Sequence, residues 1–554
     1  MRVTSIGHAG LLVETVAGRI LCDPWFNPAY FGSWFPFPDN SGVDQAALGD
    51  AEYLYVSHLH HDHFDPEWLR THMSKDTRVL LPDYPVPDLR RAMEELGFRH
   101  FVHTRDQEVH ELDGSLRVMI NALTTPTDGP IGDSALVVED STARILNQND
   151  ARPVEHDALC SLGPFDGHFL QYSGAIWFPM VYDFPDRMKA TVGRRKRLNG
   201  MARALRYIEE YGAAHVFPFA GPPCFLDDDL FHLNDFEEDE TNTFPDQWVF
   251  LDHMREQGHH QGKLFLPGTT AELRDGRCEL EQIPEERIAP VRDERRTYLR
   301  DYQRRKRPVL RAERESWPTE RTDLLSTVKE WVEPLMRHAD HTCAGVNGRV
   351  LVETTDEPPA RAGEPERIVF DFLDRTVRRY EGETCRYRFR VPRPLLESLV
   401  RDRTADWVNE LFLSCRFQAS RQGPFNEYVT TFFATLSEER MSYAEGFYAE
   451  AADAGEKARA GDHVIQRYCP HLKADLVRFG THKDGVLTCR MHGWEFDLAT
   501  GRCLTSDDRK LFSEPLDASE GAEGAAEGAE GTAHAVGEAA GSGAGSALPE
   551  VPGA

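Results

Sequence analysis

Two short runs concentrate metal-binding chemistry in this chain. The first is His58-Leu59-His60-His61-Asp62-His63, an H-x-H-x-D-H string directly after the strand-like stretch Ala51 to Val56. Alternate side chains of an extended backbone share a face, so His58 and His60 point the same way. The following turn brings Asp62 and His63 round to the same space. Imidazole nitrogens and carboxylate oxygens suit zinc, iron or manganese, and one loop can divide its ligands between two metals. The second run pairs Cys469-Pro470-His471 with Cys489-Arg490-Met491-His492. Two thiolates on one iron and two neutral imidazoles on the other are a ligand set for a [2Fe–2S] cluster. A Cys2His2 zinc site competes with this reading. Zinc fingers, however, place their cysteine pair before their histidine pair, and here the C-x-H and C-x-x-H pairs interleave.

These groups need elements to hold them. Residues 1–25 alternate like paired strands about a Gly7-His8-Ala9-Gly10 turn and end at Asp23-Pro24. Further strands are expected at Leu116 to Ile120, Ser134 to Glu139 and Arg144 to Leu146, and a long basic helix over Met188 to Tyr211. Strands mixed with helices in this rhythm predict an α/β layered domain over residues 1–270. Residues 271–340 read as a charged helical connector, a solvated salt-bridge-laced face with one amphipathic helix, Asp323 to Arg337. Residues 341–445 read as a small α+β domain and 460–515 as a β-rich module. Residues 516–554 are mostly Gly, Ala and Glu, too poor in large apolar side chains to order themselves.

The H-x-H-x-D-H string resembles the signature of the metallo-β-lactamase-fold superfamily, an αββα sandwich. The segment from Gly7 to Trp25 is similar to the opening hairpins of its ascorbate-6-phosphate-lactonase-like branch. This resemblance implies that His58 and His60 bind one metal, Asp62 and His63 a second, and that Asp150 bridges them. Hydrolases of this fold carry another metal histidine between the string and the bridging aspartate. Here that stretch, Thr124 to Asp133, holds none. Asp128 or Asp133 is therefore expected to replace it, and an added carboxylate moves preference from zinc toward iron or manganese. The last ligand is expected at His168, with His232 as the other candidate; His215, inside an apolar strand, reads as a core histidine. The run Cys489 to Leu498, with Gly493-Trp494-Glu495-Phe496, resembles the Rieske modules of ferredoxins and oxygenases. Cys469, His471, Cys489 and His492 would hold its cluster, and Cys503 reads as a buried apolar cysteine.

Joining the two motifs resembles the CMP-N-acetylneuraminate hydroxylase family, which unites a Rieske module with a metallo-β-lactamase-like domain. The stretches Leu170 to Tyr182 and Phe217 to Leu226 look like segments of it. That family places its Rieske module first, whereas here it comes last. Residues 343–440 faintly resemble a sterol-carrier-like unit. The expected function is an O2-dependent monooxygenase acting on a small molecule, fed by a ferredoxin or an NAD(P)H-dependent reductase through the Rieske cluster. One or two Fe (alternatively Zn or Mn) would sit in the N-terminal domain. The alternative is a metal-dependent hydrolase with the cluster as redox switch or structural element.

Composition narrows the partners. The 554 residues carry 92 Asp and Glu against 63 Lys and Arg, a formal charge of −29. That balance argues against nucleic acid and anionic membrane surfaces. No apolar run approaches the ~20 residues of a membrane helix, and the N-terminus lacks signal-peptide features. The ten cysteines are mostly scattered. A cytoplasmic protein is expected, and a homo-oligomer is one way to bring the two centres together.

Overall fold

The computed structural model describes residues 1–126, 131–234, 241–355, 365–450, 455–491, 493–506 and 509–516. Asp128, His492 and the Gly/Ala/Glu stretch from residue 517 lie outside the described residues. Two compact units divide the chain, Met1–Ala449 and Glu450–Ala554.

The first unit opens with strands β1 (Arg2–Gly7), β2 (Gly10–Thr15), β3 (Gly18–Cys22), β4 (Tyr53–Tyr55), β5 (Arg78–Leu81) and β6 (His100–His103). There follow β7 (Val109–Glu111), β8 (Arg117–Leu123), β9 (Asp133–Glu139), β10 (Arg144–Asn149), β11 (Gly167–Gln171), β12 (His215–Phe219), β13 (Thr270–Arg274) and β14 (Arg277–Glu281). They form two sheets, ordered β14-β13-β1-β2-β3-β4-β5-β6 and β12-β11-β10-β9-β8-β7. Val3, Leu11, Val13 and Ile20 face Ile120, Leu136, Val138, Ile145 and Phe169 across the interior. Period-two alternation sends the intervening residues outward. Leu21, Leu54 and Val79 meet Trp68, Leu69, Leu89 and Met93 of the covering helices on the first sheet's outer face. Helix Asp186–Tyr211 buries Met201, Ala204 and Ile208 beside the second sheet. This is the αββα sandwich expected.

The sandwich continues past residue 270. β13 pairs antiparallel with β1, Val3 opposite Ala271, and turns into β14. The alternation Thr-Ala-Glu-Leu-Arg buries Ala271 and Leu273 and exposes Glu272 and Arg274; its charged half made it look like connector. The Arg-rich helix Arg295–Ser316 is likewise not wholly solvated, because Leu299 and Tyr302 dock against Phe35 and Leu226.

A five-stranded sheet follows: Thr376–Arg379, Arg367–Asp371, Arg349–Thr355, Tyr387–Pro392 and Gln418–Arg421 in spatial order. Helices Leu324–His338, Arg393–Arg401 and Glu427–Ala434 accompany it, with a single π turn at Val408–Phe412. The core of this domain is continuous with Trp25, Tyr30, Trp34 and Tyr182 from the sandwich loops. Paired backbone bonds reinforce the junction, Ala419 N–H to Val181 O at 2.9 Å and Asp183 N–H to Ala419 O at 3.0 Å. The second unit holds two three-stranded antiparallel sheets. No helix among the described residues is long and apolar enough to cross a membrane.

Candidate metal centre

One end of the sandwich gathers the polar groups. β1 and β2 meet there in a turn that presents His8, β3 ends at Asp23, β4 runs on to the histidine string, and β10 ends at Asp150. Antiparallel pairing of β9 with β10 brings the start of β9, at Asp133, to the same end. Hydrogen bonds hold this end together across both sheets. Tyr55 Oη donates to Ser134 O at 2.9 Å, and Ser134 Oγ donates to Ser57 O at 2.9 Å.

Two triples of side chains converge there, His58–His60–Asp150 and His8–Asp62–His63, each with its ligand atoms within 4.8 Å of one another. Asp150 faces both: Oδ2 lies 3.8 Å from His58 Nε2 and Oδ1 lies 3.5 Å from His63 Nε2. His8 Nε2 lies 2.8 Å from Asp62 Oδ2, and His63 Nε2 lies 3.8 Å from the same oxygen. All but Asp150 and His60 have almost no solvent exposure.

The outer nitrogens are already committed. Ser57 Oγ donates to Asp23 Oδ2 at 2.8 Å and is positioned to accept from His58 Nδ1 at 2.9 Å and His63 Nδ1 at 3.1 Å. Asp23 Oδ2 also lies 3.1 Å from His63 Nδ1. With Nδ1 protonated on both rings, both Nε2 atoms face the cluster and are the ones left to ligate. His60 is set the other way round: its Nε2 bonds Asn409 Oδ1, leaving Nδ1 inward, 2.7 Å from His58 Nε2. At that separation the two nitrogens share a proton as a hydrogen bond when no metal is bound, and a metal ion can take the proton's place. His63 Nε2 and Asp150 Oδ1 are buried without a hydrogen-bond partner. Unsatisfied buried acceptors of this kind are costly, and four imidazoles with two carboxylates satisfy a divalent transition metal. The donor set fits one or two such ions.

Electrostatics agree. Burial, with His58 beside it, pulls His60 down to about 3, so it is neutral and ready to ligate. Burial opposes a charge on His63, but Asp150, Asp62 and Asp23 outweigh it and raise the group to about 10. The two carboxylates are held below their usual range against burial, Asp62 by His63 and His8, Asp150 by His63 and His58. Without a metal, a protonated His63 balances their charge.

Several expectations meet this geometry and others do not. His58, His60, Asp62, His63 and Asp150 come together. Asp133 does not enter either triple; its Oδ1 lies 3.2 Å from the outer Nδ1 of His58, where it orients the ring. Asp128, the other candidate replacement, lies outside the described residues. His168 is not brought to the cluster. On β11 it stands opposite Leu146 of β10, its Nε2 lies 2.8 Å from Gln148 Oε1, and its ring meets Tyr211 edge-on. Burial holds it neutral, down to about 3. His232 is exposed, and His215 Nε2 lies 3.1 Å from Gly276 O. Sequence reading missed His8 as a donor. Its signal is the glycine-flanked turn, where Gly7 at φ 111° and His8 at φ 50° aim the imidazole inward. It also missed Asn409, which lies some 350 positions along the chain.

In the second unit Cys469 and Cys489 are buried and free of disulfides. Burial and the neighbouring Cys489 thiol raise Cys469 well above the usual thiol range. His471 stacks on Trp494 with ring centres 4.1 Å apart. Two facing thiols and an adjacent imidazole suit thiolate and imidazole ligation of an iron–sulfur cluster. Cys503 is buried, and its Sγ accepts the Ser506 N–H at 3.3 Å.

Comparison with known proteins places the chain. Residues 456–512 match the Rieske [2Fe-2S] domain and residues 324–450 the Rv3818-like, SCP2-like domain. A Rieske 2Fe-2S iron-sulfur protein, so named, of Mycolicibacterium smegmatis is 49% identical over 523 residues, covering 93% of this chain and 100% of that protein. The chain belongs to this Rieske iron–sulfur protein family. A more distant relative matches part of the chain. Cytidine monophosphate-N-acetylneuraminic acid hydroxylase of Mus musculus is 28% identical over 267 residues, 44% of this chain and 42% of that one. Among solved structures, CmlA, a diiron β-hydroxylase from Streptomyces venezuelae, aligns at 18% identity over 49% of this chain and 54% of its own, with a TM-score of 0.34. The SCP2-like match agrees with the sterol-carrier-like resemblance of the middle domain and starts with helix Leu324–His338.

Proposed function

We propose that this protein is an O2-dependent monooxygenase. In this reading electrons pass from a ferredoxin or NAD(P)H-dependent reductase to the Rieske cluster and on to iron in the sandwich, where a small molecule is hydroxylated. The observation that carries the reading is the pair of triples joined by Asp150 in a chain that also bears a one-electron relay. A hydrolase needs no such relay. The hydroxylase relative named above supports the same class of chemistry.

His58, His60 and Asp150 would hold one metal ion and His8, Asp62 and His63 a second. Iron bound there supplies the redox chemistry of O2 activation. The chain's own residues prepare the site. Ser57 and Asp23 keep protons on the outer nitrogens of His58 and His63, and Asp133 fixes the His58 ring. The Tyr30 hydroxyl donates to Asp62 Oδ1. The apolar wall of Trp25, Tyr30 and Trp34 limits water beside the donors.

The test combines metal analysis with turnover. Iron beyond the two atoms of the cluster, a Rieske EPR signal after dithionite reduction, and O2 consumption requiring NAD(P)H and a reductase are expected. Zinc or manganese in the sandwich, with turnover in the absence of reductant, would show a hydrolase instead.

A further inference from the structure

The π turn Val408–Phe412 of the SCP2-like domain reaches the histidine string. Asn409 Oδ1 bonds His60 Nε2, and Glu410 Oε1 lies 3.0 Å from His61 Nε2. Single π turns inside helical segments recur at functional sites, because the extra residue re-aims side chains. Here the turn is braced from behind. Asp406 Oδ2 accepts from Asn409 Nδ2 at 2.6 Å, and Asp406 Oδ1 accepts from Asn409 N–H at 3.0 Å. Arg440 donates to Asp406 Oδ2 at 3.0 Å and, through Nε, to Asp88 Oδ2 at 2.7 Å, tying the brace to the sandwich helix Asp88–Glu95.

This chain of bonds has a definite direction. A carboxylate can only accept, so Asp406 fixes the amide of Asn409 with its nitrogen outward and its oxygen toward His60. An oxygen facing His60 Nε2 can only accept. It therefore places the ring proton on Nε2 and leaves Nδ1 as a lone pair aimed at His58 Nε2 and Asp150. Asn409 is 9% exposed and Asp406 7%, so water does not compete strongly for either group.

We propose that the SCP2-like domain completes the metal centre, with Asn409 as the positioning residue that sets the tautomer of His60 and Asp406 as the group that sets Asn409. The inference rests on the metal reading above and adds a role for a domain that the sandwich motif leaves unused.

The test is a Zn2+ titration of the full-length protein, stripped of its sandwich metal, against a fluorescent chelator of known affinity. The Rieske EPR signal serves as an internal control. Asn409→Leu is expected to weaken Zn2+ binding by about 10–100-fold, as loss of an outer hydrogen-bond partner does, with the EPR signal unchanged. Asn409→Ser, too short to reach His60 yet still able to offer its backbone N–H to Asp406, gives the same reading if the leucine variant does not fold. Asn409→Asp keeps an acceptor toward His60, with Asp406 taking up the proton that the amide supplied, and is expected to retain most of the affinity. Leucine and aspartate occupy similar space, so loss of packing alone would not separate them. Wild-type affinity in Asn409→Leu or Asn409→Ser, or a loss in Asn409→Asp as large as that in Asn409→Leu, overturns the proposal. His60→Ala separates the two levels. If it too binds Zn2+ normally, the metal reading itself fails; if it loses Zn2+ while Asn409→Leu does not, only the role of Asn409 fails.

Discussion

At the residue scale the centre works through protons held in place. His58, His60 and His63 each have an outer nitrogen engaged, by Ser57 and Asp133, by Asn409, and by Ser57 and Asp23. The inner nitrogens are thereby left to a cation. His63 must give up a proton, since its carboxylate neighbours hold it at about 10 in the metal-free protein, and Asp133 and Asp150 raise His58 against burial as well. The sign follows. Below that value metal competes with at least one proton, so affinity should rise with pH, by about tenfold per unit or more between pH 6 and 8. Zn2+ titrations at pH 6, 7 and 8 measure the slope; a flat profile would mean that His63 is already neutral. His60, at about 3, contributes no slope in that window. Two substitutions should dissociate the centres. His60→Ala is expected to lower sandwich metal content and keep the Rieske EPR signal, and His492→Ala to do the reverse. Retained reductant-dependent turnover in His492→Ala would dismiss the coupled mechanism.

At the scale of elements, the turn between β1 and β2 is a positioning device. Gly7 sits at φ 111°, where a Cβ would come 3.0 Å from Pro267 Cγ and 3.3 Å from Asn40 Cβ. Gly7→Ala should cost about 1–3 kcal/mol through backbone strain and also weaken Zn2+ binding, because His8 moves with the turn. Gly212, at φ 55° beyond helix Asp186–Tyr211 with nothing within 4 Å of a Cβ, is the control. Gly212→Ala should cost about 1–2 kcal/mol and leave metal binding alone. Chemical denaturation with parallel Zn2+ titration distinguishes the two. Equal Zn2+ affinities in both variants would separate the turn from the metal.

At the scale of the whole molecule, the SCP2-like domain and the sandwich share one apolar cluster and a buried ion pair. Arg416 Nη2 lies 2.9 Å from Asp227 Oδ2, and its Nε donates to Phe31 O at 3.0 Å; side chains of the pair are 6% and 5% exposed. Removing one member of such a pair strands the other in a poorly solvated place. Asp227 keeps Arg314 at 2.7 Å, so Arg416→Ala should destabilise by about 3 kcal/mol, the low end for a broken buried pair. A lower urea midpoint with unchanged slope in the Met1–Ala449 unit is the expected result. A separate early transition for residues 324–449 would show instead that the two domains unfold independently.

The kinds of chemistry present are legible in the residue order. The H-x-H-x-D-H string and the interleaved Cys/His pairs are local, and ligands within a few positions of one another need only a strand and a turn to converge. Period-two alternation likewise made the sandwich strands legible. What it could not determine were donors joined by long-range pairing. His8 enters because β1 lies two strands from β3 in the same sheet, and Asn409 because another domain folds its π turn over the string. His168 and Asp133 illustrate the converse. Each has the right residue type in a plausible place, but strand register turns His168 toward Gln148 and Tyr211 and sets Asp133 behind the His58 ring. Composition and spacing carry no information about which side chains of other strands and domains will stand across from a given residue. The tertiary structure decided that.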